Sequence, residues 1–188
     1  GVHGDNCATV IVGDTDSSAD TTTTTLISPP SYPETDWRGV PVRSTFENAA
    51  QQAHFEEVAR PLVYAARQAL LAAIATVRAG SCLSAVGGAI DAVAQRYGLQ
   101  SVRAYRGHGI CHEFHCPPFV KHYRNRDRLR LEEGMIFTIE PMLVTGQQAC
   151  SEWDDDWTVT TDDGSLAAQF EHTILVTADG AEILTVPE

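Results

Sequence analysis

Two apolar stretches each carry one carboxylate where a strand should be wholly apolar: Glu140 interrupts MIFTIEPMLV at 135–144, and Glu171 interrupts QFEHTILV at 169–176. A carboxylate buried alone costs several kcal/mol or is forced to stay protonated. Whatever fold buries these strands must therefore bring positive charge to both acids. One source is a buried Lys or Arg among the 13 basic residues. The other is a metal ion, because two carboxylates on neighbouring strands can converge on one hard or borderline cation.

Nitrogen ligands for such an ion are close at hand in GHGICHEFHCPP at 107–118. Four of the seven histidines (His108, His112, His115 and His122) fall within 15 residues. Glycines flank His108 and let the backbone approach closely, while His115 stands beside a turn made by Pro117 and Pro118. At the start of the chain, strand alternation puts His3, Asp5 and Cys7 on one face of an apolar run. Competing chemistries fit less well. There is no G-x-S-x-G elbow and no Gly-rich phosphate loop ahead of a helix, and the two histidines of HEFH at 112–115 are three apart in a loop. A thiol–base pair built on Cys111 or Cys116 would leave Glu140 and Glu171 unexplained.

At 188 residues the chain suits one domain or most of one. Periodicity predicts a helix in which Leu62, Ala66, Ala69, Leu70, Ala73, Ile74 and Val77 share a stripe, preceded by a separate or kinked helix over 46–59 because Pro61 belongs in a first turn. A second helix follows Ser81, with Leu83, Val86, Ile90, Val93 and Tyr97 buried and Gly98 past its end. Strands are expected at 8–13, 101–106, 135–144, 156–161, 170–178 and 182–187, with turns at 161–165 and 178–180. Helices grouped ahead of strands favour an α+β layout with a curved antiparallel sheet. The stretch 14–45, rich in Thr, Ser, Asp and Pro, is expected to be a mobile surface insertion.

A net charge of −12 argues against a nucleic-acid or anionic-membrane surface, and no apolar run approaches 18 residues. Five cysteines with no C-x-x-C pair point to reduced thiols and an intracellular, cytoplasmic setting.

Taken together, HGD at 3–5, GHGI at 107–110, His115 before a proline pair, HY at 122–123, GMIFTIEPM at 134–142, DWT at 156–158 and SLAAQFEHTILVT at 165–177 resemble the type I methionine aminopeptidases of the pita-bread fold. The motifs cover nearly everything except 14–45. This resemblance implies a pita-bread sheet covered by helices and incomplete at its N-terminal half, so that residues 1–188 would be the C-terminal portion of one catalytic domain. It implies two divalent ions (Co, Mn, Fe or Zn), held by Asp5, His108, Glu140 and Glu171, that activate a water to release the initiator methionine from nascent proteins with a small second residue. Asp5 and Glu171 would bridge the ions, Glu140 would shuttle protons, His115 would hydrogen-bond the peptide, and Phe114 and Trp157 would line the methionine pocket. An upstream segment would complete the second ion's site, and the ribosome is a candidate partner. The alternatives are a non-catalytic pita-bread binding module and an exopeptidase that cuts before proline.

Overall fold

The computed structural model describes residues 6–8 and 48–185. Asp5 and the 14–45 stretch lie outside the described residues, as do residues 9–13 of the first predicted strand.

β1 is Asn6–Ala8. After it come α1 (Ala49–His54), a π-helical turn (Phe55–Ala59) and α2 (Arg60–Ile74) as one kinked run. Asn48 caps the run by accepting the Gln51 N–H at 3.0 Å. The widened turn sits immediately ahead of Pro61, which has no N–H and whose ring would strike the carbonyl four residues back in a regular helix. α2 ends at Ile74, and Gly80, at φ +80°, reverses the chain into α3 (Ser84–Arg96). Val86, Gly87, Ile90 and Ala94 form the buried face of α3. Tyr97 stays at its exposed edge, its ring set edge-on to Tyr64 at 6.1 Å.

The strands that follow are β2 (Gln100–Ser101), β3 (Gly107–Gly109), β4 (Cys116–Val120), β5 (Ile136–Ile139), β6 (Met142–Val144), β7 (Cys150–Glu152), β8 (Val159–Thr161), β9 (Ala167–Val176) and β10 (Ala181–Ile183). The main sheet runs β2-β6-β9-β5-β3-β4, with β1 and β10 also paired to β9. Every pairing in it is antiparallel. β9 is therefore the spine, taking β5 and β6 on one side and β1 and β10 on the other. α2 packs against α3 and across β9. The core lies between these layers, where Leu62, Ala66, Leu70 and Ile90 meet Phe137, Ile139, Leu143 and Ile174.

Three strand expectations differ from the structure. The 101–106 run forms a ladder only at Gln100–Ser101, because its remaining residues carry the chain from the β2 edge past β6, β9 and β5 to reach β3. The 135–144 run breaks at Glu140–Pro141, since proline has no N–H to give the ladder. The 156–161 run pairs only from Val159, and it does so with β7 in a separate two-stranded hairpin. β3 and β4, which include GHG and a proline pair, have no β-like composition of their own.

Candidate metal centre

Strand alternation divides the sheet into two faces. Phe137 and Ile139 point to the helices, so Thr138 and Glu140 point the other way, and Glu171 and Thr173 join them from β9. Pairing on both sides of the Glu140–Pro141 break keeps one register, from Ile139 opposite His172 to Met142 opposite Gln169, which sets Glu140 opposite Glu171. β3 then pairs with β5 through Gly109 and Phe137, bringing His108 to the same face. A side chain at Gly107 would collide with the Thr138 carbonyl, and one at Gly109 with the Pro117 carbonyl. These glycines allow the close strand approach that seats His108.

Ligand atoms of His108, Glu140 and Glu171 all lie within 4.8 Å of one another. The three residues are 4 %, 9 % and 5 % exposed. His108 Nε2 is 3.7 Å from Glu140 Oε1. At its other ring nitrogen, Nδ1 lies 3.2 Å from the Gly109 carbonyl; donation there leaves the Nε2 lone pair facing the carboxylates. The His108 backbone N–H donates to Thr138 Oγ1 at 3.0 Å, and that hydroxyl donates to Glu140 Oε1 at 3.1 Å. Gln169 Nε2 donates to Glu140 Oε2 at 3.3 Å. One imidazole and two converging carboxylates, sheltered from water and oriented by outer hydrogen bonds, suit a divalent ion such as Mn, Fe, Co or Zn.

His115 is carried by the loop between β3 and β4. Its ring stands over His108, with centroids 4.3 Å apart in a T-shaped contact, and Phe114 touches both rings at 4.6 and 5.7 Å. Trp157 lies elsewhere, 86 % exposed in the turn of the β7–β8 hairpin, and among the described residues no ring contact joins it to Phe114. That turn is shaped by Asp155, whose carboxylate accepts the Trp157 and Thr158 N–H groups at 3.1 and 2.8 Å, and by Asp156 at φ +55°. His112 is exposed on the β3–β4 loop.

Three contributors have no assigned role in the sequence reading. Thr138 and Gln169 each stand two residues before a carboxylate of the cluster, on the same face of its strand, and alternation alone points to them. His122 is different. Its Nε2 accepts the N–H of Gly107 and of Glu140, both at 3.3 Å, and burial pushes its pKa down to about 3, so the ring is neutral with its proton on Nδ1. It therefore braces the strands on either side of the site. Sequence spacing placed it in the histidine cluster without distinguishing a brace from a ligand.

An antiparallel sheet backed by helices thus gathers one histidine and two glutamates on its polar face, a group that could hold a metal ion. The chain belongs to metallopeptidase family M24, whose model matches residues 42–178. It is 38 % identical over 188 residues to methionine aminopeptidase 1D, mitochondrial, of Dictyostelium discoideum, covering 98 % of this chain and 37 % of that protein. It is 45 % identical over 132 residues to methionine aminopeptidase A of Synechocystis sp., covering 70 % and 52 % respectively. Among solved structures, methionine aminopeptidase from Rickettsia prowazekii superimposes with a TM-score of 0.67 at 40 % identity, covering 78 % of this chain and 56 % of that one. The Thermotoga maritima enzyme superimposes at 0.66 with 35 % identity, covering 78 % and 55 %. The fold is the pita-bread fold, and the chain spans between about a third and just over half of these relatives' lengths. Membership of a metallopeptidase family carries with it a divalent metal cofactor. No described helix is long and apolar enough to cross a membrane.

Proposed function

We propose that this protein is a type I methionine aminopeptidase, removing the N-terminal methionine from polypeptides whose second residue is small. The observation that carries this reading is the convergence of His108, Glu140 and Glu171 beneath His115 and Phe114. His108, Glu140 and Glu171, together with Asp5, would hold the divalent metal, which would supply Lewis acidity at the scissile carbonyl. The chain's own groups do the rest. Glu140 accepts and returns a proton at Oε1 or Oε2, the two oxygens that Thr138 and Gln169 orient. His115, on the exposed side of the cluster, hydrogen-bonds the peptide and the negative charge that develops on its carbonyl oxygen. Phe114 offers an apolar surface to the methionine side chain, and Trp157 reaches the same pocket only if its hairpin turns toward Phe114. The reading extends to two further partners, a segment carrying the second ion's remaining ligand and, as a candidate, the ribosome. Five unbridged cysteines support action in a reducing compartment, the cytoplasm.

The test is metal analysis of the purified protein together with free methionine release from Met-Ala-Ser, compared with hydrolysis of an X-Pro peptide. Bound divalent metal with release from Met-Ala-Ser alone is expected. Absence of any bound metal would favour a non-catalytic module, and preference for the X-Pro peptide would favour a proline-specific exopeptidase.

A further inference from the structure

Residues 121–130 hold five of the 13 basic residues and one of the 25 acids, so this segment is net positive within a chain whose remainder is strongly negative. The whole-chain charge of −12 therefore averages two unlike surfaces. At physiological ionic strength, charges more than about 8 Å apart are largely screened, and the local sign of a patch decides what docks on it.

The fold presents these cations in an ordered row. Odd-numbered residues bond along the chain: Asn125 Nδ2 donates to the Tyr123 carbonyl at 2.8 Å, the Asp127 N–H to Asn125 Oδ1 at 3.0 Å, and the Leu129 N–H to Asp127 Oδ1 at 3.0 Å. The far end is pinned to the turn ahead of α3, where the Leu83 N–H donates to the Leu129 carbonyl and the Leu131 N–H to the Ser81 carbonyl, both at 2.9 Å. Arg124, Arg126, Arg128 and Arg130, at the alternate positions, are all exposed. Arg124 reaches Asp91 at 3.3 Å with its side chain still 69 % exposed, and Arg130 Nη1 donates to the Gly80 carbonyl at 2.9 Å. Arg126 and Arg128 have no ion-pair or hydrogen-bond partner among the described residues. At the head of the row, the Arg103 guanidinium lies 4.9 Å from the centroid of the half-buried Tyr123 ring.

We propose that this row binds single-stranded RNA along its sugar–phosphate backbone. Alternate residues of an extended chain stand about 6.6–6.8 Å apart, a step comparable to that between successive phosphates of an extended strand. Guanidinium groups meet phosphate oxygens through paired hydrogen bonds, so arginines suit a phosphate row better than lysines do. Tyr123 with Arg103 offers a base a stacking surface beside the row. Asp127 selects the sugar. It is the one acid of the segment, half-buried, and its Oδ1 is taken by the Leu129 N–H. Its second oxygen can accept from a ribose 2′-hydroxyl, a donor that neither DNA nor an acidic side chain supplies. None of these residues belongs to the metal cluster, and the surface does not depend on the aminopeptidase reading.

Fluorescence anisotropy of a labelled oligouridylate of about ten nucleotides, titrated with the whole protein at low salt, tests the row. Affinity is expected to fall with salt, log K against log salt having a slope of about −0.7 for each phosphate neutralised. The double variant Arg126→Ala, Arg128→Ala is expected to bind about tenfold more weakly and to flatten that slope by about 1.4, with thermal unfolding unchanged. The double variant Arg126→Lys, Arg128→Lys keeps the charge and should retain the slope while losing part of the affinity. Unlabelled oligodeoxythymidylate should compete less well than unlabelled oligouridylate, and polyglutamate of equal charge should not release the probe. Absence of binding at low salt, or an unaltered slope in the double alanine variant, overturns the proposal. Equal competition by oligodeoxythymidylate overturns the choice of RNA, and release by polyglutamate assigns the row to acidic polypeptides instead. The titration needs neither metal nor turnover, so its failure and a failure of the aminopeptidase reading are told apart.

Discussion

His122 accepts the backbone N–H of Glu140 on its ring Nε2 at 3.3 Å, and the same nitrogen takes the N–H of Gly107. One buried, neutral ring thus fixes Gly107, the residue before His108, and Glu140 to each other through their backbone N–H groups. Ser101 holds the brace from behind, its hydroxyl donating to the His122 carbonyl at 2.7 Å.

Replacing the brace separates packing from hydrogen bonding. His122→Phe fills the space but leaves the Gly107 and Glu140 N–H groups buried without an acceptor, a penalty of about 1–3 kcal/mol each. Urea unfolding is expected to show a loss of about 2–6 kcal/mol, with manganese affinity weakened about 10- to 100-fold by calorimetry. A variant with wild-type metal affinity would show that the ring only fills space.

Removing a ligand has a different signature. Glu171→Ala is expected to abolish metal binding, whereas the unaltered protein gains about 2.7 kcal/mol of stability at a metal concentration a hundred times its Kd. The melting temperature of the unaltered protein should therefore rise with manganese and fall with a chelator. Glu171→Ala should show neither response.

Groups above the cluster should affect turnover and leave the metal alone. His115→Ala is expected to keep manganese affinity and lower kcat on Met-Ala-Ser by about 10²- to 10³-fold, the range for loss of a group that stabilises developing charge. Phe114→Ala should act mainly on kcat/KM. Trp157→Ala, at an exposed hairpin turn, should change stability by no more than about 0.5 kcal/mol. A large loss of kcat/KM in Trp157→Ala would show that the hairpin closes over the substrate.

The β7–β8 hairpin is tied to the body by Tyr105, whose hydroxyl donates to Glu152 Oε1 at 2.8 Å. Burial, reinforced by that carboxylate, pushes the Tyr105 pKa up to about 12. The folded protein then keeps a proton that the unfolded chain loses near pH 10, so the contribution of this group to stability is present below pH 10 and is lost as pH rises toward 12. Ultraviolet titration should show one late-ionising tyrosine in the unaltered protein, absent in Tyr105→Phe. Both proteins should share the same profile if the bond to Glu152 does not form in solution.

Local patterning determined much of this protein. The amphipathic stripe of α2, the turn glycines Gly80 and Gly98, and the carboxylates set in apolar strands are legible because each depends on residues near in sequence. From Glu140 and Glu171 alone, the need for a buried cation follows from the cost of desolvating charge. Which groups gather around the two acids was decided by tertiary structure. The register of β9 sets Glu140 opposite Glu171, and pairing of the glycine-flanked β3 with β5 delivers His108, contacts that join residues some 30 apart and that no local propensity encodes. The same long-range pairing made His122 a brace and left Trp157 on an exposed turn. Backbone hydrogen bonds between distant strands, satisfied only when the whole sheet has formed, set these relationships.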